Sequence, residues 1–319
     1  MNVTALKNSN IPVCTNASLS EFTTFRLGGP CPVLLFCRTA QQLKEAIQFC
    51  RKEKKEFILI GGGSNLVVAD EGVPCYVVRY LNETPLIECD GTDIAVSGST
   101  LLDQLARYAA DKGLEGLNCC TGIPGTVGGA VAGNAGAFGK QIGDVVKFIS
   151  VLSADGIEKE LKRDDCGFAY RHSDLKRTGD IVVSVRLALK AGDRIALLKE
   201  RDEILDIRRA KHPDLAVHPC AGSFFRNIEP TSKAGKRQAA GWFLDEAGAK
   251  CLTVGGARIF EKHANIIVKA EGCRAQDVYE LSGHMQRLVK DKFGLNLVRE
   301  VRFVGKFEGM PDNVRAQIW

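Results

Sequence analysis

Between Thr121 and Gly139 the chain reads T-G-I-P-G-T-V-G-G-A-V-A-G-N-A-G-A-F-G, with seven glycines, four alanines and no charged residue. A stretch like this has few side chains with which to build a core. It belongs where backbone must approach another backbone or a bulky ligand, because no Cβ holds the two apart. In Gly125-Thr126-Val127-Gly128-Gly129 and Gly133-Asn134-Ala135-Gly136 the N–H groups can face that ligand, as amide nests do around anions. Exposed amides without lysines suit a phosphate-bearing cofactor that carries its own ring system. A tight helix–sheet joint would use the same small residues.

A second glycine cluster follows a short apolar strand, Phe57-Ile58-Leu59-Ile60, which runs straight into Gly61-Gly62-Gly63-Ser64-Asn65. This junction is a candidate phosphate cradle of amides, one hydroxyl and one carboxamide. It is neither a Walker A loop, lacking Gly-Lys-Ser/Thr, nor G-x-G-x-x-G, since Leu66 stands at the third glycine position. A left-handed turn closing a βαβ unit would also read this way.

The surrounding pattern is mixed α/β. Thr39 N-caps a helix to Lys52 with Leu43, Ala46, Ile47 and Cys50 on its apolar side. From Pro74 the chain becomes β-rich, with strands at Tyr76-Val77-Val78, 86–89 and 94–97, and an amphipathic helix spans 101–112 before Gly113. Strands at 148–152 and 181–189 lead to a charged helix, 196–211, whose buried stripe is Leu197, Leu198, Ile204, Leu205 and Ile207. Helices at 239–247 and 275–293, strands at 258–260 and 266–268, and a last strand over 297–304 complete the pattern. A composition shift near Lys190 marks a domain boundary, and the tail from Lys306 to Trp319 is expected to be loosely held.

At 319 residues the chain has room for two or three domains. The net charge of +5 comes from scattered residues, which speaks against nucleic acid and suits a small anionic substrate. Met1 to Asn10 carries no apolar signal region, and no uncharged run reaches membrane-span length, so a cytoplasmic protein with no membrane partner is expected. The twelve cysteines are dispersed, none in C-x-x-C, and read as reduced, mostly buried thiols. The five histidines lack ligand spacing, so no metal is expected.

Three further stretches are polar where burial or a turn is expected: 168–173 around Tyr170-Arg171, 221–227 around Ser223, and 299–303 around Glu300. A surface arginine, a capping serine and a strand-edge glutamate would each explain one. Taken in order with Thr24-Phe25-Arg26-Leu27-Gly28-Gly29, Gly61-Gly62-Gly63-Ser64-Asn65 and Gly122-Ile123-Pro124-Gly125-Thr126-Val127-Gly128-Gly129, they form a series. Together with Gly222-Ser223-Phe224-Phe225-Arg226-Asn227 and Glu300-Val301-Arg302-Phe303-Val304-Gly305, this series resembles the MurB family, the UDP-N-acetylenolpyruvoylglucosamine reductases of peptidoglycan precursor synthesis. The resemblance runs from about residue 20 to 305.

It implies an α/β (α+β) fold. A vanillyl-alcohol-oxidase-type FAD-binding portion of two α/β subdomains, about 20–73 and 74–190, would precede a C-terminal α/β substrate-binding domain, 191–305, and a tail, 306–319. FAD would be held noncovalently, with no histidine before His172 to attach it, by Gly61, Gly62, Gly63, Ser64, Asn65, Gly122, Gly125, Thr126, Gly128, Gly129, Asn134 and Gly136. NADPH would supply hydride, and UDP-N-acetylglucosamine enolpyruvate would accept it at C3. Arg171 and Glu300 would stabilise the enolate-like charge, Glu300 being protonated or hydrogen-bonded so as not to repel it. Ser223 would protonate C2. Arg208, Lys211, Asn227 and His263 would bind substrate, and the enzyme would be a monomer. No tyrosine lies between His172 and Ala196, which resembles the branch lacking a tyrosine loop. Phe260 and Lys269 depart from a usual serine and asparagine. Other readings are a different FAD-dependent oxidoreductase of this fold, or a non-catalytic UDP-sugar sensor, which would need no proton donor.

Overall fold

The computed structural model describes residues 10–153, 156–229 and 237–310; residues 1–9 and the tail from 311 lie outside them. The first sheet has the order Val13–Ser18, Pro30–Cys37, Tyr76–Tyr80, Phe57–Ile60, antiparallel in its first pair and parallel in the other two. Helix α1 (Ala40–Lys52) makes the crossover. Its start is a capping box: Thr39 Oγ1 accepts from Gln42 N at 3.2 Å, and Gln42 Oε1 accepts from Thr39 N at 3.3 Å. Tyr76–Tyr80, grouped by sequence with the strands after it, is instead an inner strand of this first sheet. Its burial pattern, four of five residues buried, is that of a parallel strand covered on both faces.

The second sheet is antiparallel throughout, in the order Glu158–Lys162, Val146–Leu152, Ile181–Ala188, Asp93–Ser97, Ile87–Asp90. Helices α2 (Leu102–Asp111) and α3 (Val127–Gly133) contribute Leu102, Leu105, Val127 and Val131 to its core with Val185 and Leu187. A short α4 (Leu175–Thr178) follows, then α5 (Arg194–Lys211), which Asp193 caps through Ala196 N at 2.7 Å. Leu197 and Ile204 are buried as expected. Between them Arg201, 6% exposed, makes two 2.8 Å bonds to Asp103 on α2. Ile207 does not belong to the buried stripe: it is 43% exposed and faces a cavity.

In the C-terminal part, α6 (Ala240–Glu246) and α7 (Ala275–Phe293) pack on a three-stranded antiparallel sheet, Thr253–Val254, Ala257–Phe260, His263–Lys269. Phe224, Phe225, Ile266, Val278, Leu281 and Met285 form its core. Gly294, at φ 69°, ends α7. The final strand is shorter than the apolar pattern suggests. Only Arg302–Val304 is strand, parallel to Leu66–Val68. The segment before it changes partner: Glu300 N donates to Phe224 O at 2.7 Å, and Arg302 N to Asn65 O at 3.0 Å. No single ladder can include both. Among the described residues no helix is long and apolar enough to cross a membrane, and seven of the twelve cysteines are buried.

Asp70, two residues past the Leu66–Val68 strand, accepts from Ala275 N at 2.8 Å and Gln276 N at 3.2 Å, so it caps α7 from the other half of the chain. Asp70→Ala is expected to cost about 0.5–2 kcal/mol, the usual worth of such a cap, read as a lower urea midpoint with an unchanged slope.

Candidate active site

The two glycine loops meet face to face. Ser64 Oγ donates to Pro124 O at 3.0 Å, and a Cβ on Gly62 would stand 3.0 Å from Gly125 Cα. Gly125, at φ 117°, has a conformation that L side chains rarely adopt. The loops bound a cavity of about 530 Å³, lined also by Ala135–Phe138, Arg171, Arg208, Lys211 and Ser223.

The loops do different work, which the sequence alone did not separate. Among the described residues the N–H groups from Gly61 to Asn65 have no protein acceptor. The amides at the start of α3 are spent: Val127 N donates to Thr100 O and Gly128 N to Gly98 O, both at 2.9 Å, and Gly129 N to Thr126 Oγ1 at 3.3 Å. Glycine is needed at 128 for closeness, since a Cβ there would lie 3.1 Å from Gly98 O. Two expected cofactor residues do not line the cavity. Gly122 sits beneath Arg208, with its N–H on Asp103 Oδ1 at 2.6 Å. Asn134, 1% exposed and left-handed at φ 47°, donates to Ala169 O at 2.8 Å and accepts from Gly143 N at 3.0 Å. It clamps the chain just ahead of Tyr170-Arg171. Gly61, Gly62, Gly63, Ser64, Asn65, Gly125, Thr126, Gly128, Gly129 and Gly136 all line the cavity.

Arg171 is itself left-handed, at φ 53°, a strained conformation for a long side chain. Its Nη1 donates to Gly136 O at 3.0 Å. Its Nε lies 2.9 Å from Glu300 Oε1, an ion pair whose N–H is not aimed at the oxygen. Glu300 is carried in by its own backbone: its N–H is on Phe224 O, and its carbonyl accepts from Asn65 Nδ2 at 3.1 Å. Ser223 is the next residue before Phe224, and a buried Asn265 holds that turn. Asn265 Oδ1 accepts from Phe225 N at 2.9 Å while its Nδ2 donates to Phe225 O at 2.8 Å. The Ser223 hydroxyl has no partner among the described residues.

Arg171, Ser223 and Glu300 also line a second cavity of about 380 Å³, with Asn227, His263 and Trp242. The three residues thus form the shared wall between the two cavities. Arg208 and Lys211, on the last turn of α5, face the first; Asn227 and His263 face the second. Asn227 Oδ1 also accepts from Ala240 N at 3.2 Å. Sequence reasoning missed Lys176, Arg302, His212 and Asn265. Arg302 was within reach, since Glu300 and Arg302 are two apart in an extended segment and share a face. His212 follows Lys211 at the end of α5, and Asn265 shares a strand with His263. Among the described residues no group of three His, Cys, Asp or Glu could hold a metal.

Residues 31–162 match an FAD binding domain. With the named relatives that follow, this match makes the chain an FAD-dependent oxidoreductase. Residues 213–304 match the UDP-N-acetylenolpyruvoylglucosamine reductase C-terminal domain. Proteins named UDP-N-acetylenolpyruvoylglucosamine reductase from Caldicellulosiruptor bescii and Alkaliphilus metalliredigens are 37% and 35% identical, over 95% and 90% of this chain and 94% and 92% of theirs. The crystal structure of UDP-N-acetylenolpyruvylglucosamine reductase from Thermus caldophilus superposes with a TM-score of 0.74 at 34% identity, over 92% of this chain and 98% of that one. The chain belongs to the UDP-N-acetylenolpyruvoylglucosamine reductase family, and its cofactor is FAD.

The cavity fits that cofactor. The open amides of Gly61–Asn65 suit its pyrophosphate. Gly129 and Gly133 leave a flat wall for its ring, since Cβ atoms there would meet nothing nearer than 3.6 and 3.9 Å.

The His212 and His263 rings lie tilted at 42° to each other, centroids 5.4 Å apart, beside Arg208 and Lys211. Burial, then His263, Arg208 and Lys211, push His212 down to about 4 from an ordinary 6.5. The unfolded chain therefore takes up a proton before the folded one does, and stability falls as pH drops from about 6.5 through about 4. In the ligand-free protein, His212→Gln should flatten this dependence, seen as a smaller change in urea midpoint between pH 7 and pH 5.

Proposed function

We propose that the protein reduces UDP-N-acetylglucosamine enolpyruvate to UDP-N-acetylmuramate with NADPH as donor, acting as a cytoplasmic monomer that supplies precursor for cell-wall growth and division. Residues 20–190 would be the FAD-binding domain, its two subdomains meeting near residue 80, and 191–305 the substrate domain. The observation that carries the reading is the shared wall: Arg171, Ser223 and Glu300 border both the glycine-lined cavity and the polar one beside it.

FAD held by the glycine loops would supply, from NADPH, the hydride that C3 of the enolpyruvyl group accepts. Negative charge then spreads over C2 and the carboxylate. Arg171 stabilises it through the guanidinium that lines both cavities. Glu300, paired with Arg171 at 2.9 Å, orients that guanidinium and has its own charge offset by it. Ser223 protonates C2. Its hydroxyl, without a protein partner, is free to turn to a carbanion within about 3 Å. Arg208 and Lys211 bind the diphosphate, and Asn227 and His263 the nucleotide end.

Ser223→Ala removes a hydroxyl but no charge. NADPH should still bleach the FAD at close to the normal rate. Reoxidation by the enolpyruvyl substrate should slow by at least the ~10²-fold typical of losing a positioned general acid, and Ser223→Cys should recover part of it. Stopped-flow absorbance separates the halves, and equal loss in both would make Ser223 structural.

Lys211→Ala should raise KM for the nucleotide substrate about tenfold to a hundredfold, from loss of a charge-assisted bond worth roughly 1.5–3 kcal/mol, with a smaller effect on kcat. An unchanged KM with a collapsed kcat would remove Lys211 from the binding role.

A further inference from the structure

Lys176 has no part in the reading above, yet its side chain lines the flavin cavity. It stands on α4, a helix of four residues locked to α3 by Ser173, whose buried hydroxyl donates to Ala132 O at 2.7 Å. From there Lys176 reaches across Gly133, where a Cβ would stand 3.9 Å from Nζ and meet nothing else.

A lysine on a short surface helix ordinarily extends its ammonium into water. This one turns inward, where burial and the charges of Arg302, Arg226 and Arg171 oppose its proton and only Glu300 favours it; together they bring it down to about 8. Glu300 is already paired with Arg171. Among the described residues, Nζ makes a single hydrogen bond, donated to Arg171 O at 3.4 Å. Two of its three N–H donors therefore find no acceptor among the described residues. Holding a cation among three guanidinium groups costs stability in the ligand-free protein, and a bound anion removes that cost.

We propose that Lys176 is a binding cation for a delocalised anion that arises in the cavity, namely the pyrimidine edge of the reduced flavin. Hydride brings the ring two electrons and one proton, and leaves the nicotinamide oxidised. The ring keeps one negative charge, which the ammonium faces without giving up a proton. The carboxylate of the enolpyruvyl substrate is the other source of the same chemistry. The inference rests on the FAD assignment, and a wild-type protein that takes up no FAD would sink that assignment before any variant is made.

Lys176→Met keeps length and loses charge; Lys176→Arg keeps charge. Both are compared with wild type after the visible spectrum has established equal FAD content. At pH 7 the Met variant should shift the flavin couple toward its oxidised form by at least tenfold, about 30 mV for two electrons. The Arg variant should restore most of that shift. The substrate's Kd, from flavin difference spectra of the oxidised enzyme, forms the second arm. An unmoved potential with a Kd weakened tenfold in Met and restored in Arg assigns the anion to the substrate carboxylate. If neither quantity moves in Met, or if Met and Arg fail alike, Lys176 only packs and the proposal is overturned.

Discussion

Three residues of parallel strand, Arg302–Val304 against Leu66–Val68, join the C-terminal part of this chain to the cofactor part. The pairing is short, but both its ends carry function. On one side it fixes the loop Gly61–Asn65, whose open amides face the cavity. On the other it fixes Glu300, whose carbonyl is tied to Asn65. The distance between the cofactor cradle and the Glu300 carboxylate is therefore set by bonds to the backbone on either side of Glu300. Preorganisation of this kind lets a site stabilise charge without rearranging as the charge develops.

Arg171 shows what that arrangement demands. Its left-handed backbone is unfavourable for a residue with a Cβ, and the surroundings enforce it. Asn134 holds Ala169, Gly136 O takes Nη1, and Lys176 takes the arginine's own carbonyl. Asn134 was legible as a polar residue in a glycine segment; it is buried away from the cavity lining, with its amide on the chain ahead of Arg171.

The fold was largely readable from periodicity and caps: the Thr39 box, the Gly294 stop and most strands stand where pattern puts them. Tyr76–Tyr80 was misgrouped because an inner parallel strand looks the same whichever sheet receives it. The last strand was overextended because an apolar run does not reveal that the chain changes partner at Glu300. The three residues of the shared wall came from motif resemblance, since no spacing rule brings residues 171, 223 and 300 together. The amides of Gly128 and Gly129, expected to face a ligand, are bonded within the protein for a physical reason. A glycine signals that something is close, and it does not say whether that neighbour is a ligand or, as at Gly128, another carbonyl.

The link between Asn65 and Glu300 spans 235 residues. Closing so long a loop carries a large entropic cost that local contacts cannot offset early. During synthesis the Gly61–Asn65 loop emerges first and waits for a strand made about 235 residues later. Until residue 304 has left the ribosome, the Gly61–Asn65 loop lacks the partner that holds it and the cavity lacks the wall carrying Glu300. Closure of the cavity is thus timed by the arrival of residues 300–304, and a product truncated before residue 300 retains the FAD-binding sequence without that wall.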